Sequence, residues 1–292
     1  MNVNEYLKEH NTTEIIVGQS GADVYEIDGK YILKHVVRQK LQNEQFDTYS
    51  REALFYQSMG KRRYLPEVLK AEVLENEILI LMKKYGRPER SAINAELIHK
   101  LTKALAALHT DQVPSFLQQD KEKADPLSDQ MIAECLSGWK SVLEEHPGAF
   151  DESQLDAIAS KINELILWHD SEERVLVHGD FHWDNLLEDE NGNILLCDWQ
   201  GVNLGGASGD LSFFLSRLGG DGVRLDATVL LDSYTNAIRE LSGKQIERQD
   251  IIRHMNAANV ITSFIFWHEY LHGSSEERVR DIYGEMIKDF MN

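Results

Sequence analysis

From Val177 the chain reads Val-His-Gly-Asp-Phe-His-Trp-Asp-Asn-Leu-Leu, and seven residues later Ile194-Leu195-Leu196-Cys197 ends in Asp198-Trp199. A polar loop between two apolar strands thus holds Asp180 and Asn185 five residues apart, and a second carboxylate, Asp198, emerges at the end of the next hairpin strand. Phosphoryl transfer needs a carboxylate to orient a hydroxyl and accept its proton, and oxygen ligands for a Mg²⁺ that bridges nucleotide phosphates. Asp180 suits the first role; Asn185 and Asp198 suit the second. Each of the three taken singly is also an ordinary turn residue. The joint pattern, H-G-D-x-x-x-x-N followed by an apolar strand and D-W, favours the chemistry. His178, His182 and Asp184 could in principle ligate a metal, but no further His or Cys stands at ligand spacing.

The elements that must position these groups are legible on either side. Ile15–Gly18, Ala22–Ile27 and Tyr31–Val37 are short β-prone runs, with Asp28-Gly29 as a two-residue hairpin turn. Residues 43–59 read as a helix, because Phe46, Tyr49, Ala53 and Tyr56 recur at helical spacing. Val68–Leu74 and Glu77–Met82 form a further hairpin around Glu75-Asn76, and Lys83–Arg90, with Gly86 and Pro88, breaks the pattern. Beyond it Asn94 is the expected N-cap of a helix carrying Leu97, Ile98, Leu101, Leu105 and Leu108. Helices are expected at 127–145, 152–169, 208–218, 226–242, 248–272 and 275–290. Between them lies a β interlude: Arg174–Val177, Asn185–Leu187 and Ile194–Cys197, with Asn191-Gly192 turning the last hairpin. The expected fold class is α+β, with a small β-rich lobe over residues 1–83, a linker at 84–91 and a larger, mainly helical lobe over 92–292.

Three features of the first lobe bear on a nucleotide. Val17-Gly18-Gln19-Ser20-Gly21-Ala22 joins two expected strands, and glycines there let backbone N–H groups approach phosphates; an ordinary hairpin turn accounts for the same residues. Lys34 lies inside the apolar run Tyr31-Ile32-Leu33-Lys34, where a charge needs a partner unless it sits solvated at an edge. Glu52 follows on the next helix. No G-x-x-x-x-G-K-[ST] sequence occurs, which disfavours a P-loop NTPase.

The His178–Leu187 and Ile194–Trp199 segments resemble the catalytic loop and metal-binding strand of the aminoglycoside phosphotransferase family, which shares a two-lobed protein-kinase-like fold with choline kinases. The resemblance implies Asp180 as catalytic base, Asn185 and Asp198 as Mg²⁺ ligands, and His178 as a scaffold residue. It also implies ATP or GTP as phosphate donor. It maps the phosphate-gripping strand Lys and its orienting helix Glu onto Lys34 and Glu52, with Glu44 a weaker substitute near the helix start. Gly18, Ser20 and Gly21 would approach the phosphates, and Met82–Tyr85, including Lys83 and Tyr85, would frame the base through its backbone. Trp199-Gln200 stands where protein kinases have Phe-Gly, and no A-P-E segment occurs, so protein-kinase activity is disfavoured. Leu105–His109 resembles the family's helix ending in Leu-His, with His109 structural. Asp210 reads as a helix-start residue anchoring the catalytic region.

Charge narrows the acceptor. The 292 residues carry 30 Lys+Arg and 49 Asp+Glu, a formal net charge of −19. Residues 1–90 hold 14 of each sign, so the whole excess lies in residues 91–292. Such acidity disfavours nucleic acid and favours a cationic small molecule. In the helical part, Trp267 and Glu269 of Phe264–Tyr270 could line its pocket, although helix packing also explains the aromatics. Asp184 could face the cation or brace the loop. The expected activity is transfer of a γ-phosphate to a hydroxyl of an aminoglycoside, as in antibiotic resistance. Kinases of choline, an amino alcohol or a sugar are an alternative, and a catalytically silent nucleotide-binding scaffold is another. No secretory leader or spanning segment is apparent, and Cys135 and Cys197 make no metal spacing, so a cytoplasmic monomer with free thiols and no membrane partner is expected.

Overall fold

The computed structural model describes residues 3–15, 21–41, 43–90, 93–118, 125–223 and 225–292. It opens with a short helix, α1 (Val3–Glu9), which the sequence reading lacks. Seven residues give under two turns of periodicity; what stabilises α1 is the sheet, where Val3, Tyr6 and Leu7 pack with Ile27, Leu33, Leu79 and Leu81. The strands β1 (Thr12–Ile15), β2 (Asp23–Ile27) and β3 (Tyr31–Val37) follow, then helix α2 (Asn43–Met59) and strands β4 (Val68–Val73) and β5 (Glu77–Lys83). They form one antiparallel sheet in the order β1-β2-β3-β5-β4. The first strand runs earlier than the expected 15–18, with Thr12 opposite Ile27, and residues 16–20 lie outside the described ones. Asp28 and Gly29 take φ of +53° and +69°, as a two-residue turn matched to strand twist requires. Strand β5 lies between β3 and β4, and Ile78–Met82 are all buried. Helix α2 buries Phe46, Tyr49, Ala53 and Tyr56, the face expected from spacing, together with Glu52.

Next come α3 (Ala95–His109), α4 (Asp129–Glu144) and α5 (Ser153–Asp170). Asn94 caps α3, its Oδ1 accepting the Leu97 N–H at 3.0 Å. Strands β6 (Arg174–Val177), β7 (Leu186–Glu188), β8 (Ile194–Leu196) and β9 (Asn203–Gly206) form two small pairs, β6 with β9 and β7 with β8. β9 escapes sequence reading because Asn-Leu-Gly-Gly has little strand propensity; pairing alone makes it a strand. Where a strand was expected to start at Asn185, Trp183–Asn185 form a 3₁₀ turn instead. The helices α6 (Ala207–Gly220), α7 (Ala227–Ser242), α8 (Arg248–Thr262), α9 (His268–Leu271) and α10 (Glu276–Met291) complete the chain. The single helix expected over 248–272 carries a π-helical turn at Ser263–Trp267.

By packing, the chain divides into two compact units. One comprises residues 1–120, 175–205 and 210–245; the other comprises 121–174, 206–209 and 246–292. In the second, Trp139, Leu155, Ile158, Ile162, Val260, Phe264 and Met286 form the core, and the Trp139 indole N–H donates to the Phe264 carbonyl at 3.1 Å. Among the described residues no helix is long and apolar enough to cross a membrane.

Candidate active site

Strand β3, helix α2 and the end of β8 bring three charges to one point. Lys34 Nζ donates to Glu52 Oε2 at 2.7 Å and to Asp198 Oδ1 at 3.1 Å. The Glu52 side chain is 1% exposed and that of Lys34 12%, whereas Asp198 is 40% exposed and open to a ligand. Burial disfavours the Lys34 cation, but the Glu52 and Asp198 charges outweigh it and hold the ammonium protonated, well above its ordinary range. Burial likewise disfavours the Asp198 anion; the Lys34 charge and hydrogen bonds from Lys34 and Gln200 overcome it and keep the carboxyl below its ordinary range. Trp199 fixes this arrangement. Its buried ring packs, tilted, against Phe55 of α2 at 4.3 Å and against His178 at 4.5 Å between centroids, which joins α2 to the Asp198 turn. Arg51 of α2 adds a bond to the Val202 carbonyl at 3.1 Å. Asp198 itself has a φ of +66°, a left-handed conformation that costs a non-glycine residue about 1–2 kcal/mol and aims the carboxylate back at Lys34.

The loop before Asp180 hangs on Asp210. The Asp210 carboxylate, 3% exposed, accepts the His178 N–H at 2.8 Å and the Gly179 N–H at 2.9 Å. His109 Nε2 lies 3.1 Å from the same carboxylate and His109 Nδ1 lies 2.7 Å from the Tyr234 hydroxyl. A carboxylate only accepts, so Nε2 carries the proton and Nδ1 takes one from Tyr234. Burial pushes the Asp210 carboxyl up, but the hydrogen bonds from His109 and from the His178 N–H outweigh it and hold it low. His178 Nε2 donates to the Cys197 carbonyl at 3.0 Å, tying the loop to the Asp198 strand, and burial keeps the imidazole neutral by lowering its pKa. Gly179 has a φ of +75°, and a Cβ there would collide with the Gly201 carbonyl oxygen. Glycine in H-G-D is therefore a backbone requirement: the loop and the turn after Asp198 meet main chain to main chain.

Asp180 and Asn185 do meet. The Asn185 amide donates to the Asp180 carbonyl at 2.9 Å and to its Oδ2 at 3.1 Å; His182 Nε2 stands 3.5 Å from that oxygen. The Cys197 N–H donates to the Asn185 carbonyl at 3.0 Å, which holds Asn185 beside the strand that delivers Asp198. The Asp180 side chain is 46% exposed. Asp184 points elsewhere: its Oδ1 is 3.2 Å from Arg90 Nη2, and its carbonyl accepts from Arg87 Nη1 at 2.7 Å. Its carboxylate braces the loop against the segment after β5.

The remaining expected residues fall into three groups. The Lys83 N–H donates to the Glu67 carbonyl at 2.9 Å and its ammonium pairs with Glu190, while the Tyr85 hydroxyl accepts the Glu67 N–H at 3.2 Å. Both side chains line a cavity of about 580 Å³ with Arg63, Glu67 and Glu190, away from Lys34. Gly18 and Ser20 lie outside the described residues, and Gly21 packs on the Leu41 side chain. Trp267 and Glu269 belong to the second unit, Trp267 packed on its core and Glu269 exposed. Sequence reading missed Gln200, whose amide donates to Asp198 Oδ1 at 2.6 Å, and the Arg87–Arg90 brace. Gln200 had a signal, two residues after Asp198; nothing in local sequence couples residue 90 to residue 184.

Comparison places this arrangement among known folds. Over 98% of this chain and 95% of the other, the fold matches an ADP-bound aminoglycoside phosphotransferase, APH(2'')-Ib, at 14% identity and a TM-score of 0.55. The GDP complex of aminoglycoside 2'-phosphotransferase-IIIa matches at 12% identity and a TM-score of 0.58, over 99% and 96% of the two chains. An ethanolamine kinase of Plasmodium vivax matches at 13% identity and a TM-score of 0.58, over 99% of this chain and 83% of that one. Among curated protein sequences nothing matches. These likenesses establish the protein-kinase-like fold. The sequence pattern of the phosphotransferase enzyme family, APH, matches residues 12–243, the span that holds Lys34, Glu52, Asp180, Asn185, Asp198 and Asp210; the chain belongs to that family.

Proposed function

We propose that this phosphotransferase moves the γ-phosphate of ATP or GTP to a hydroxyl of a cationic small molecule, an aminoglycoside foremost. What carries the reading is the Lys34 ammonium held between buried Glu52 and half-exposed Asp198, beside the Asp180–Asn185 pair. In this reading Lys34 grips the nucleotide phosphates, and Glu52 fixes its position. Asp180 orients the acceptor hydroxyl and takes its proton as the hydroxyl oxygen bonds to the γ-phosphorus and the nucleoside diphosphate leaves.

Asn185 and Asp198 suit a hard divalent cation. The Asn185 amide nitrogen is committed to Asp180, which leaves Oδ1 as a donor; Asp198 Oδ1 is committed to Lys34 and Gln200, which leaves Oδ2. Bound there, Mg²⁺ would neutralise charge on the phosphates. Gly18, Ser20, Gly21 and the backbone of Lys83–Tyr85 are assigned to the rest of the nucleotide, and Trp267 and Glu269 to the acceptor.

The net charge of −19, carried wholly by residues 91–292, supports a cationic acceptor. An amino alcohol is the second reading, since the ethanolamine kinase fold matches as well as that of aminoglycoside 2'-phosphotransferase-IIIa, both with a TM-score of 0.58. A panel of aminoglycosides, choline, ethanolamine and neutral sugars, assayed with ATP and with GTP and mapped by NMR, decides. Aminoglycoside turnover that weakens as salt rises is the expected result. Turnover of neutral acceptors alone would overturn the cationic assignment, and no turnover of any acceptor would favour a silent scaffold.

A further inference from the structure

We propose that His169, Glu172 and His254, in the second unit, form a binding site for a divalent transition metal of the zinc class, distinct from the Asn185–Asp198 pair. His169 sits in the last turn of α5, Glu172 in the turn that follows, and His254 on α8. Each offers one ligand atom, and the three atoms lie within 4.8 Å of one another. Ligand atoms around a tetrahedral ion with bonds of about 2.0–2.1 Å stand about 3.3 Å apart, so small side-chain rotations close the set. Two imidazoles and one carboxylate are a borderline donor set, suited to zinc and cobalt and poorly suited to magnesium.

Two observations point to a ligand rather than to packing. First, Nδ1 of His169 and Nδ1 of His254 are both buried without a hydrogen-bond partner, and His254 as a whole is only 8% exposed. Buried ring nitrogens are normally satisfied, and two orphans in one cluster share one simple explanation: an ion between them. Second, the supporting contacts are those that metal-bound side chains use. The His254 ring lies flat on Trp168, 4.9 Å between centroids with an interplanar angle of 1°. Glu172 Oε1 accepts the Ser208 N–H at 2.9 Å, and its Oε2 accepts the Ser208 hydroxyl at 2.5 Å, leaving each oxygen a further lone pair. The Glu172 N–H donates to the His169 carbonyl at 3.2 Å, so two ligands share one closed turn. A Cβ at Gly206 would collide with the Glu172 carboxylate, so glycine there is what lets Glu172 dock. The ion would tie the end of α5 to α8 and to the start of α6, and three protein ligands leave a fourth position for water.

The test uses the full chain, stripped with a chelator and titrated with Zn²⁺ and Co²⁺ without nucleotide. One equivalent should bind, Co²⁺ should develop visible d–d absorption bands, and Zn²⁺ should raise Tm until one equivalent is reached. His169→Gln and His254→Gln should each weaken Zn²⁺ binding by more than the ~10–100-fold typical of losing a supporting group, with far-UV circular dichroism showing that the variants fold. Asp198→Asn should leave the Co²⁺ bands intact. No saturable binding, bands that persist in both histidine variants, or bands lost only in Asp198→Asn would overturn the proposal. Should a histidine variant not fold, X-ray absorption at the zinc edge of the wild-type protein counts imidazole ligands directly; two support the site, and none or one refutes it.

Discussion

The Lys34 ammonium stands 3.1 Å from the Asp198 carboxylate, a residue 164 positions later in the chain. The contact joins the first sheet to the loop system around Asp180. It survives burial because Glu52 supplies a second counter-charge at 2.7 Å. An ammonium this enclosed needs both partners: each carboxylate offsets part of the desolvation that one alone would leave uncompensated.

Removing the ammonium should therefore do more than weaken phosphate binding. Lys34→Met leaves Glu52 buried without a counter-ion and should lose about 3–5 kcal/mol of stability. Lys34→Met combined with Glu52→Leu should recover most of that stability and none of the turnover. Urea unfolding and steady-state kinetics read the two effects separately; a double variant as unstable as the single one would refute the pairing argument.

Asp180→Asn should retain the fold and nucleotide affinity while losing about 10²–10⁴-fold in kcat, the range expected for a positioned general base. Turnover within tenfold of the wild type would remove Asp180 from that role. Nucleotide affinity measured by calorimetry distinguishes a lost base from a collapsed loop.

Asp184 gives a finer test. Its carboxylate faces Arg90 at 3.2 Å, so Asp184→Asn should lower kcat through the loop and change the acceptor KM less than about twofold, with a stability cost of about 1 kcal/mol or less. An increase in acceptor KM with kcat unchanged would instead assign Asp184 to the acceptor.

Gly179 and Gly148 share left-handed backbones, with φ of +75° and +78°, but only Gly179 faces another main chain. Gly148→Ala should cost about 1–2 kcal/mol, the conformational penalty alone. Gly179→Ala adds the collision with Gly201 and should cost a further ~1–3 kcal/mol, with loss of activity. Equal costs in denaturant melts would contradict the close approach.

Acid should loosen the loop before it reaches the carboxylates. Burial lowers the His178 pKa, so between that value and about 6.5 the unfolded chain binds a proton that the folded chain refuses. Stability contributed by the neutral ring is thus complete above about pH 6.5 and declines as pH falls, by at most about 1.4 kcal/mol per pH unit. Asp210, whose carboxyl is held below its ordinary range, loses its contribution only at lower pH, below about 4. Unfolding midpoints at pH 7.5, 6.5 and 5.5 should fall in the wild type and fall less steeply in His178→Asn, the remaining slope coming from groups such as His169, whose pKa burial also lowers; parallel profiles would exclude His178 as a source.

Local chemistry was enough to find most elements and to pick out the residues that the structure gathers around Lys34 and Asp180. Asp28-Gly29 specifies its turn, the Asn94 cap and the apolar stripe after it specify α3, and the spacing of Asp180, Asn185 and Asp198 names a phosphotransferase loop, because each depends on residues a few positions apart. What joins them is long-range. Whether Glu52 or Glu44 meets Lys34, why Gly179 must be glycine, and that Asp184 turns to Arg90 are all set by how separate segments pack. The same holds for α1 and β9, whose own residues carry little propensity and which exist because a sheet face and a neighbouring strand bury and bond them. It holds most plainly for His169, Glu172 and His254, which stand together only because α5 packs on α8 and the start of α6 receives the Glu172 carboxylate.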